Sequence, residues 1–422
     1  MNQVPDSDAR AAADAVARRS YGKLVAFLAA RSHDVAGAED ALSEAFAAAL
    51  AHWPADGVPD NPEAWLLATA RRKSIDMQRK RKRSDDFSEH LKLMTEELAI
   101  ANDNAVPDKR LLLMFACAHP AIDEAIRAPL ILQTVLGFDA ATIASAFLIA
   151  PSSMSQRLVR AKAKIRGAAI PFRLPERDEL RERLETVLEA IYAAYTEGWS
   201  DPAGTDTHRR DLAAEAIWLG RLVCASLPGE PEALGLLALM LHGEARREAR
   251  RDVNGEFVPL AEQDMELWNS AMIEEAEALL RRASAMKAIG RFQLEAAVQS
   301  AHAVRRMSGR ADWNAVLALY DALWALTQSP VVAINRAVAI AETKGAMDGL
   351  AALDEQASDK RLSQYQPYWA ARAELLSRIG DMVGADTAFE RAIGLEADPA
   401  VRRFLQKKRD MLRLRGTPTC AS

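Results

Sequence analysis

What this sequence has little of narrows it quickly. It holds three cysteines, Cys117, Cys224 and Cys420, far apart and odd in number. That excludes a disulfide framework and any ordinary cysteine zinc site. The seven histidines are scattered. Aromatic residues make up 6% of the chain. Alternating strand patterns are scarce and helical periodicity dominates, so an all-α fold is expected. No run of about 18 apolar residues occurs, so no membrane span is expected. The opening residues, MNQVPDSDAR, have no apolar signal core, and a cytoplasmic, reducing location is expected. No nucleophile, acid–base pair or metal constellation stands out. The expectation is therefore a protein that is not an enzyme and needs no cofactor or metal.

What is present is abundant alanine and enough apolar residues, 50% of 422, for a core in both halves. That length suggests two to four domains. The net charge of −5 is unevenly spread. Residues 1–170 carry 22 basic and 21 acidic side chains, and residues 171–422 carry 32 and 38. Local patches matter more than this average for contact with nucleic acid.

The stretch PEAWLLATARRKSIDMQRKRKR, residues 62–83, is the most informative. Asp60-Asn61-Pro62 is a helix-start signal. The run carries Trp65, and from Arg71 to Arg83 it has eight basic residues, Arg71, Arg72, Lys73, Arg79, Lys80, Arg81, Lys82 and Arg83, against one acid, Asp76. Such a helix end either holds a nucleic-acid backbone beside a stacking ring or is a solvated cationic end that suits the macrodipole. Before it, residues 8–32 read as one helix with Val16, Tyr21, Leu24, Val25 and Leu28 on its apolar stripe. A break at His33-Asp34 leads to a second helix with Ala38, Leu42, Ala45, Phe46 and Leu50 on one face. Asp40, Ser43 and Glu44 project from the other side, as a solvated edge or as a docking surface for a basic partner.

Residues 84–108 hold seven acids and one lysine. They read as a linker: a solvated tether, or an acidic stand-in for a nucleic-acid strand. Residues 109–170 form another helical unit. Its last part, FDAATIASAFLIAPSSMSQRLVRAKAKIRG, fits a helix-turn-helix. The first helix spans roughly Ala140 to Leu148 with Ile143, Ala144 and Phe147 inward. The turn is Ile149-Ala150-Pro151, and Ser152 is expected to cap the second helix. Met154, Leu158, Ala161 and Ile165 form the buried stripe of that second helix. Ser152, Ser153, Gln156, Arg157, Arg160, Lys162 and Lys164 lie on the other side, with no acid between Pro151 and Arg166. This is the division a recognition helix needs: polar residues first for base edges, then cations for phosphates.

Past Pro171 and Pro175 the chain is helical nearly to its end, with a turn at Asn254-Gly255. Tyr320 and Pro330, and again Phe389 and Pro399, are ten apart. Trp369, Ala373, Leu376, Ala385, Phe389 and Ala392 fit the tetratricopeptide spacing, in which stacked helix pairs leave a groove.

Two small helical units joined by an acidic tether resemble the extracytoplasmic-function group of bacterial RNA polymerase sigma factors. AGAEDALSEAFAAAL is similar to the region-two helix that docks on the β′ clamp helices of core polymerase. That likeness implies polymerase contacts at Asp40, Ser43 and Glu44, although serine stands where the family often has glutamine. NPEAWLLATARRKSIDMQRKRKR resembles the helix that opens and reads the minus-ten element, with Trp65 in the hallmark place. The helix-turn-helix resembles region four, which reads the minus-thirty-five element near the β flap. LLLMFACAHPAI, AIYAAYTEGWS and SPVVAINRAVAIAE resemble a subgroup with a large helical extension of tetratricopeptide-like repeats. Where that subgroup often has paired cysteines, this chain has Cys117-Ala118. The domains then expected are region two at 8–83, the linker at 84–108, region four at 109–170, and a helical regulatory domain at 176–415. The function implied is promoter-specific initiation with core RNA polymerase and promoter DNA as partners and no membrane. The repeat groove would bind part of the chain itself or a peptide. The rival reading is a helix-turn-helix regulator that binds duplex DNA without joining polymerase.

Overall fold

The computed structural model describes residues 6–81, 108–147, 149–199, 207–308 and 312–416. Among them the regular structure is helical, with one isolated bridge between Arg251 and Phe257. Contacts divide the chain into a unit of residues 1–194 and a unit of residues 195–422. No helix among the described residues is long and apolar enough to cross a membrane.

The first unit begins with three helices, α1 (Asp6–Ser32), α2 (Val35–Asp56) and α3 (Pro62–Arg81), packed on one another. Local chemistry sets their ends. His33 adopts φ +52°, which breaks α1. Asp34 then caps α2 by accepting the Gly37 N–H at 3.1 Å. Gly57, at φ +89°, lets the chain leave α2 in a conformation that strains other residues. Asn61 Oδ1 accepts the Ala64 N–H at 3.1 Å, with Pro62 as the first helical residue of α3.

Leu24, Leu42, Trp53, Leu66 and Leu67 fill the core of this bundle. The buried stripe of α2 is Ala38, Ala41, Leu42, Ala45, Ala49 and Trp53. Of the other two residues expected on that stripe, Phe46 is only partly buried and Leu50 is 46% exposed.

Four more helices follow: α4 (Arg110–Cys117), α5 (Glu124–Leu136), α6 (Ala140–Ala146) and α7 (Pro151–Gly167). Asp123 and Asp139 cap α5 and α6. The expected cap of α7 moves by two residues. Ala150 holds the cap position without a side-chain bond, and Ser152 lies inside the helix. Pro151 lacks an N–H, loses nothing in the first turn, and so starts the helix earlier than a serine cap would. Helix α6 is shorter than the expected span to Leu148, and Phe147 is 36% exposed instead of inward. Met154, Leu158, Ala161 and Ile165 are all buried along α7, as their spacing predicts.

These four helices do not stand apart from the first three. α1 packs on α4 and α5, and α2 packs on α7. At the α1–α5 crossing the backbones nearly touch. A β-carbon on Gly22 would lie 1.9 Å from the Val135 carbonyl oxygen, so only glycine fits.

Helix α8 (Arg177–Trp199) contains the division between the units. The second unit continues with α9 (Thr207–Ser226), α10 (Pro231–Glu244), α11 (Ser270–Ala285) and α12 (Arg291–Ser308). Residues 233–243 of α10 are buried on every side, as expected for a helix apolar all round. It packs against α9, α11 and α12. The chain ends in α13 (Trp313–Thr327), α14 (Pro330–Lys344), α15 (Ala346–Asp354), α16 (Gln366–Ile379), α17 (Met382–Leu395) and α18 (Pro399–Gly416). Consecutive helices here pack on each other. Ala373, Leu376, Ala385, Phe389 and Ala392 meet in one core cluster, with Trp369 against it.

Candidate nucleic-acid and polymerase interface

Helix α2 presents Asp40, Ser43 and Glu44 to solvent. Glu44 makes one exposed pair, with Lys73 of α3 at 3.5 Å. In water such a pair contributes roughly 0–1 kcal/mol, so both charges remain available to a partner.

Trp65 sits in the first turn of α3, partly exposed. Its ring meets the buried Trp53 edge to face, with centroids 5.5 Å apart. Glu63 anchors the same turn to α1, accepting from Ser20 Oγ at 2.5 Å and Lys23 Nζ at 3.1 Å. Burial raises the Glu63 carboxyl, but these bonds and the nearby Lys23 and Arg19 outweigh it and hold the group below its ordinary pKa. The start of α3 is thus a fixed platform that offers an indole at its rim.

The basic run behind Trp65 divides. Arg71 does not join the exposed face. It is 6% exposed, with its guanidinium 5.0 Å from the Phe27 ring centroid. The reason is its register: Arg71 follows Leu67 by one turn and shares the buried side with Ala70. Arg72 is exposed and Lys73 partly so. The side chains of Arg79, Lys80 and Arg81, and all of Lys82, Arg83 and the acidic run to residue 107, lie outside the described residues.

On α7, Ser152, Gln156, Arg157, Arg160 and Lys164 are exposed and Ser153 is partly so. Arg160 Nη2 approaches Gln156 Oε1 at 3.5 Å, which keeps the two together on the outer face. Lys162 departs from the expected phosphate-facing set. Its Nζ bonds Glu39 Oε2 of α2 at 2.7 Å, and the two side chains are only 12% and 13% exposed. Arg166 adds a second bond to α2, at 3.1 Å from the Asp34 carboxylate.

Around this junction the groups are shielded. Burial pushes the Glu39 carboxyl up, and Lys162 only partly offsets it. Burial, then Glu39 and Asp40, raise the Tyr21 phenol. Burial pushes the Cys117 thiol up to about 12, although Thr134 bonds it at 3.5 Å. Glu39, Asp34 and Gly22 were not singled out from sequence. Their partners are more than a hundred residues away, and no local pattern marks them. Among the described residues no group of His, Cys, Asp and Glu is arranged to hold a metal ion.

The first unit thus carries a polar outer face on α2, a partly exposed indole on α3 and a polar-then-basic outer face on α7. Residues 16–84 match Sigma-70 region 2, the sigma-factor segment whose family binds core RNA polymerase and promoter DNA and which is not an enzyme. Residues 183–284 match a family of unknown function, DUF6596. The chain belongs to the same family as an uncharacterized protein of Rhizobium meliloti (strain 1021), which is 38% identical over 381 residues, covering 89% of this chain and 90% of that protein. No solved structure matches.

Proposed function

We propose that this chain is a sigma factor of the extracytoplasmic-function type that directs promoter-specific initiation, with its helical C-terminal unit acting as a regulator in cis. One observation carries the reading. The segment matching Sigma-70 region 2 is followed, in the same compact unit, by a helix whose outward side bears Ser152, Ser153, Gln156, Arg157, Arg160 and Lys164 and no acid. Asp40, Ser43 and Glu44 would meet the polymerase clamp. Trp65 and Arg72, with Lys73 released from Glu44, would hold the opened minus-ten strand, where an extruded base costs a few kcal/mol of stacking that the site must return. Gln156 and Arg157 would read base edges at the minus-thirty-five element, and Arg160 and Lys164 would hold phosphate.

Lys162 is engaged with Glu39, the neighbour of Asp40 on α2, and Arg166 with Asp34 at the start of that helix. Promoter binding by α7 with its full set of cations therefore requires α7 to leave α2. The C-terminal unit, with its tetratricopeptide-like spacing, is the natural place for the signal that releases it.

The test is run-off transcription with bacterial core RNA polymerase, this protein and the promoter of its own operon. A discrete transcript that needs the protein, and that Asp40→Arg/Glu44→Arg abolishes, is the expected result. A chain that footprints promoter DNA alone and never co-elutes with core would instead be a helix-turn-helix regulator.

A further inference from the structure

The second unit contains a knot of arginines that lacks part of its counter-charge. After α10 the chain tightens into a 3-10 turn at Arg247–Arg250, in the run Arg246, Arg247, Glu248, Ala249, Arg250, Arg251. Two of these arginines are neutralised. Arg247 Nε bonds Glu244 at 2.6 Å, and Arg251 pairs with Asp398. The other two are not. Arg246 donates to neutral oxygens, the His242 carbonyl at 3.3 Å and Gln299 Oε1 at 2.7 Å, and lies 5.8 Å from the Trp268 ring centroid. Arg250 donates to the Trp199 carbonyl at 3.0 Å and stacks on the Trp199 ring at 3.5 Å. Arg246 Nη1 and Arg250 Nε and Nη2 have no protein acceptor.

Among the described residues around the knot, further donors stand without acceptors. The indole Nε1 atoms of Trp199 and Trp268 and the Nε of Arg251 are buried donors without partners. The Tyr195 hydroxyl reaches in beside Gly243, where a β-carbon would come within 2.4 Å of it. Among the described residues, Glu277 of α11 is a further carboxylate beside α10. It is engaged by Ser300 Oγ at 2.5 Å and faces His242 Nε2 at 3.4 Å. Burial drives the Arg250 guanidinium down to about 10, and Arg251, Arg246 and Arg247 push it further the same way. Burial also lowers Arg246. Arg246, Arg250 and Trp199 each keep partial contact with solvent, so the knot is open to a small solute.

Two guanidiniums fixed on indole rings, with unused N–H groups and further buried N–H donors around them, are complementary to an oxyanion and to little else. A divalent cation would be repelled, and a neutral ligand would leave the charge uncompensated. We propose that the Arg246–Arg250 knot is a binding site for a phosphoryl oxyanion, taken either as free phosphate or as the phosphoryl group of a small phosphomonoester. The site would make the second unit responsive to a phosphorylated solute, a property separate from the reading of the first unit.

The experiment titrates the full chain, in phosphate-free buffer, with inorganic phosphate and with phenyl phosphate by calorimetry, against sodium chloride at matched ionic strength. Saturable binding of one equivalent, with Tm raised by about 5 °C at ligand ~100-fold above Kd and no such rise in chloride, is expected. Tighter binding of phenyl phosphate would identify a phosphomonoester as the ligand; tighter binding of phosphate would identify the free ion. Arg250→Gln should weaken binding at least tenfold, and Arg250→Lys, which keeps the charge and the chain packing, should weaken it less. Absence of saturable binding by the wild-type chain to either probe would overturn the proposal. So would affinity unchanged in both Arg250→Gln and Arg246→Gln.

Discussion

Lys162 and Glu39 stand 123 residues apart in sequence and 2.7 Å apart in the fold. Both are largely removed from water, so the pair costs desolvation and holds only while both charges are present. Lys162→Ala should destabilise the first unit by about 3 kcal/mol at neutral pH in urea unfolding. Burial already raises the Glu39 carboxyl, so the orphaned group can escape by taking up a proton. The deficit of the variant should therefore shrink as pH falls through the raised Glu39 range; a pH-independent deficit would refute this account. Replacing both residues, as Glu39→Leu/Lys162→Met, should recover most of the loss.

Asp386 shows the opposite sign. It accepts from Arg409 at 2.7 and 2.8 Å and from Arg413 at 2.7 and 3.0 Å. These bonds hold its carboxyl well below the usual carboxylate range. A depressed group stabilises the fold above its unfolded pKa, about 3.9. That contribution is lost as pH drops from there through the lower folded value. Thermal melts of the wild type should lose stability across this acid window. Asp386→Asn should already be less stable at pH 7 and show a flatter acid limb.

At the scale of elements, the decisive feature is the crossing of α1 and α5 at Gly22. Its missing side chain lets the Val135 carbonyl approach, and the crossing seats α4–α7 on α1. Gly22→Val would wedge that crossing open without touching the core of either helix group. Cys117 reports the event, because it is fully buried near Glu39 and Lys162. Alkylation of Cys117, followed by mass spectrometry, should be at least ten times faster in Gly22→Val than in the wild type, with helix content by circular dichroism unchanged. Equal rates would mean that α4–α7 stay seated despite the wedge. The caps act at this scale too. Asp34 both starts α2 and receives Arg166, so a single carboxylate ties a helix start to the far end of α7.

For the whole molecule, the first unit holds the segment that matches Sigma-70 region 2 and the second holds the arginine knot. A truncated chain ending at Ala194 keeps all of the former and none of the latter. Under the proposed function, its transcript yield from the cognate promoter should differ from that of the full chain at equal protein concentration. Identical yields would remove the C-terminal unit from any role in control.

Much of this was readable from sequence because it is local. Asn61-Pro62 marks a helix start by satisfying or removing backbone N–H groups, and His33-Asp34 reads as a break. The 3.6-residue period placed Met154, Leu158, Ala161 and Ile165 inside and Gln156, Arg157 and Arg160 outside, and the same logic left Asp40, Ser43 and Glu44 facing solvent. The all-α class follows from that periodicity alone. What only the tertiary structure decided are contacts between distant stretches. Arg71 looks like part of a basic face until α1 brings Phe27 beside it. Lys162 looks like a phosphate contact until α2 offers Glu39, and Gly22 has no visible purpose until Val135 arrives. Periodicity says which side of a helix is apolar. It carries no information about which flank of that side a helix from elsewhere in the chain will cover, because that is settled by the packing of all the faces at once.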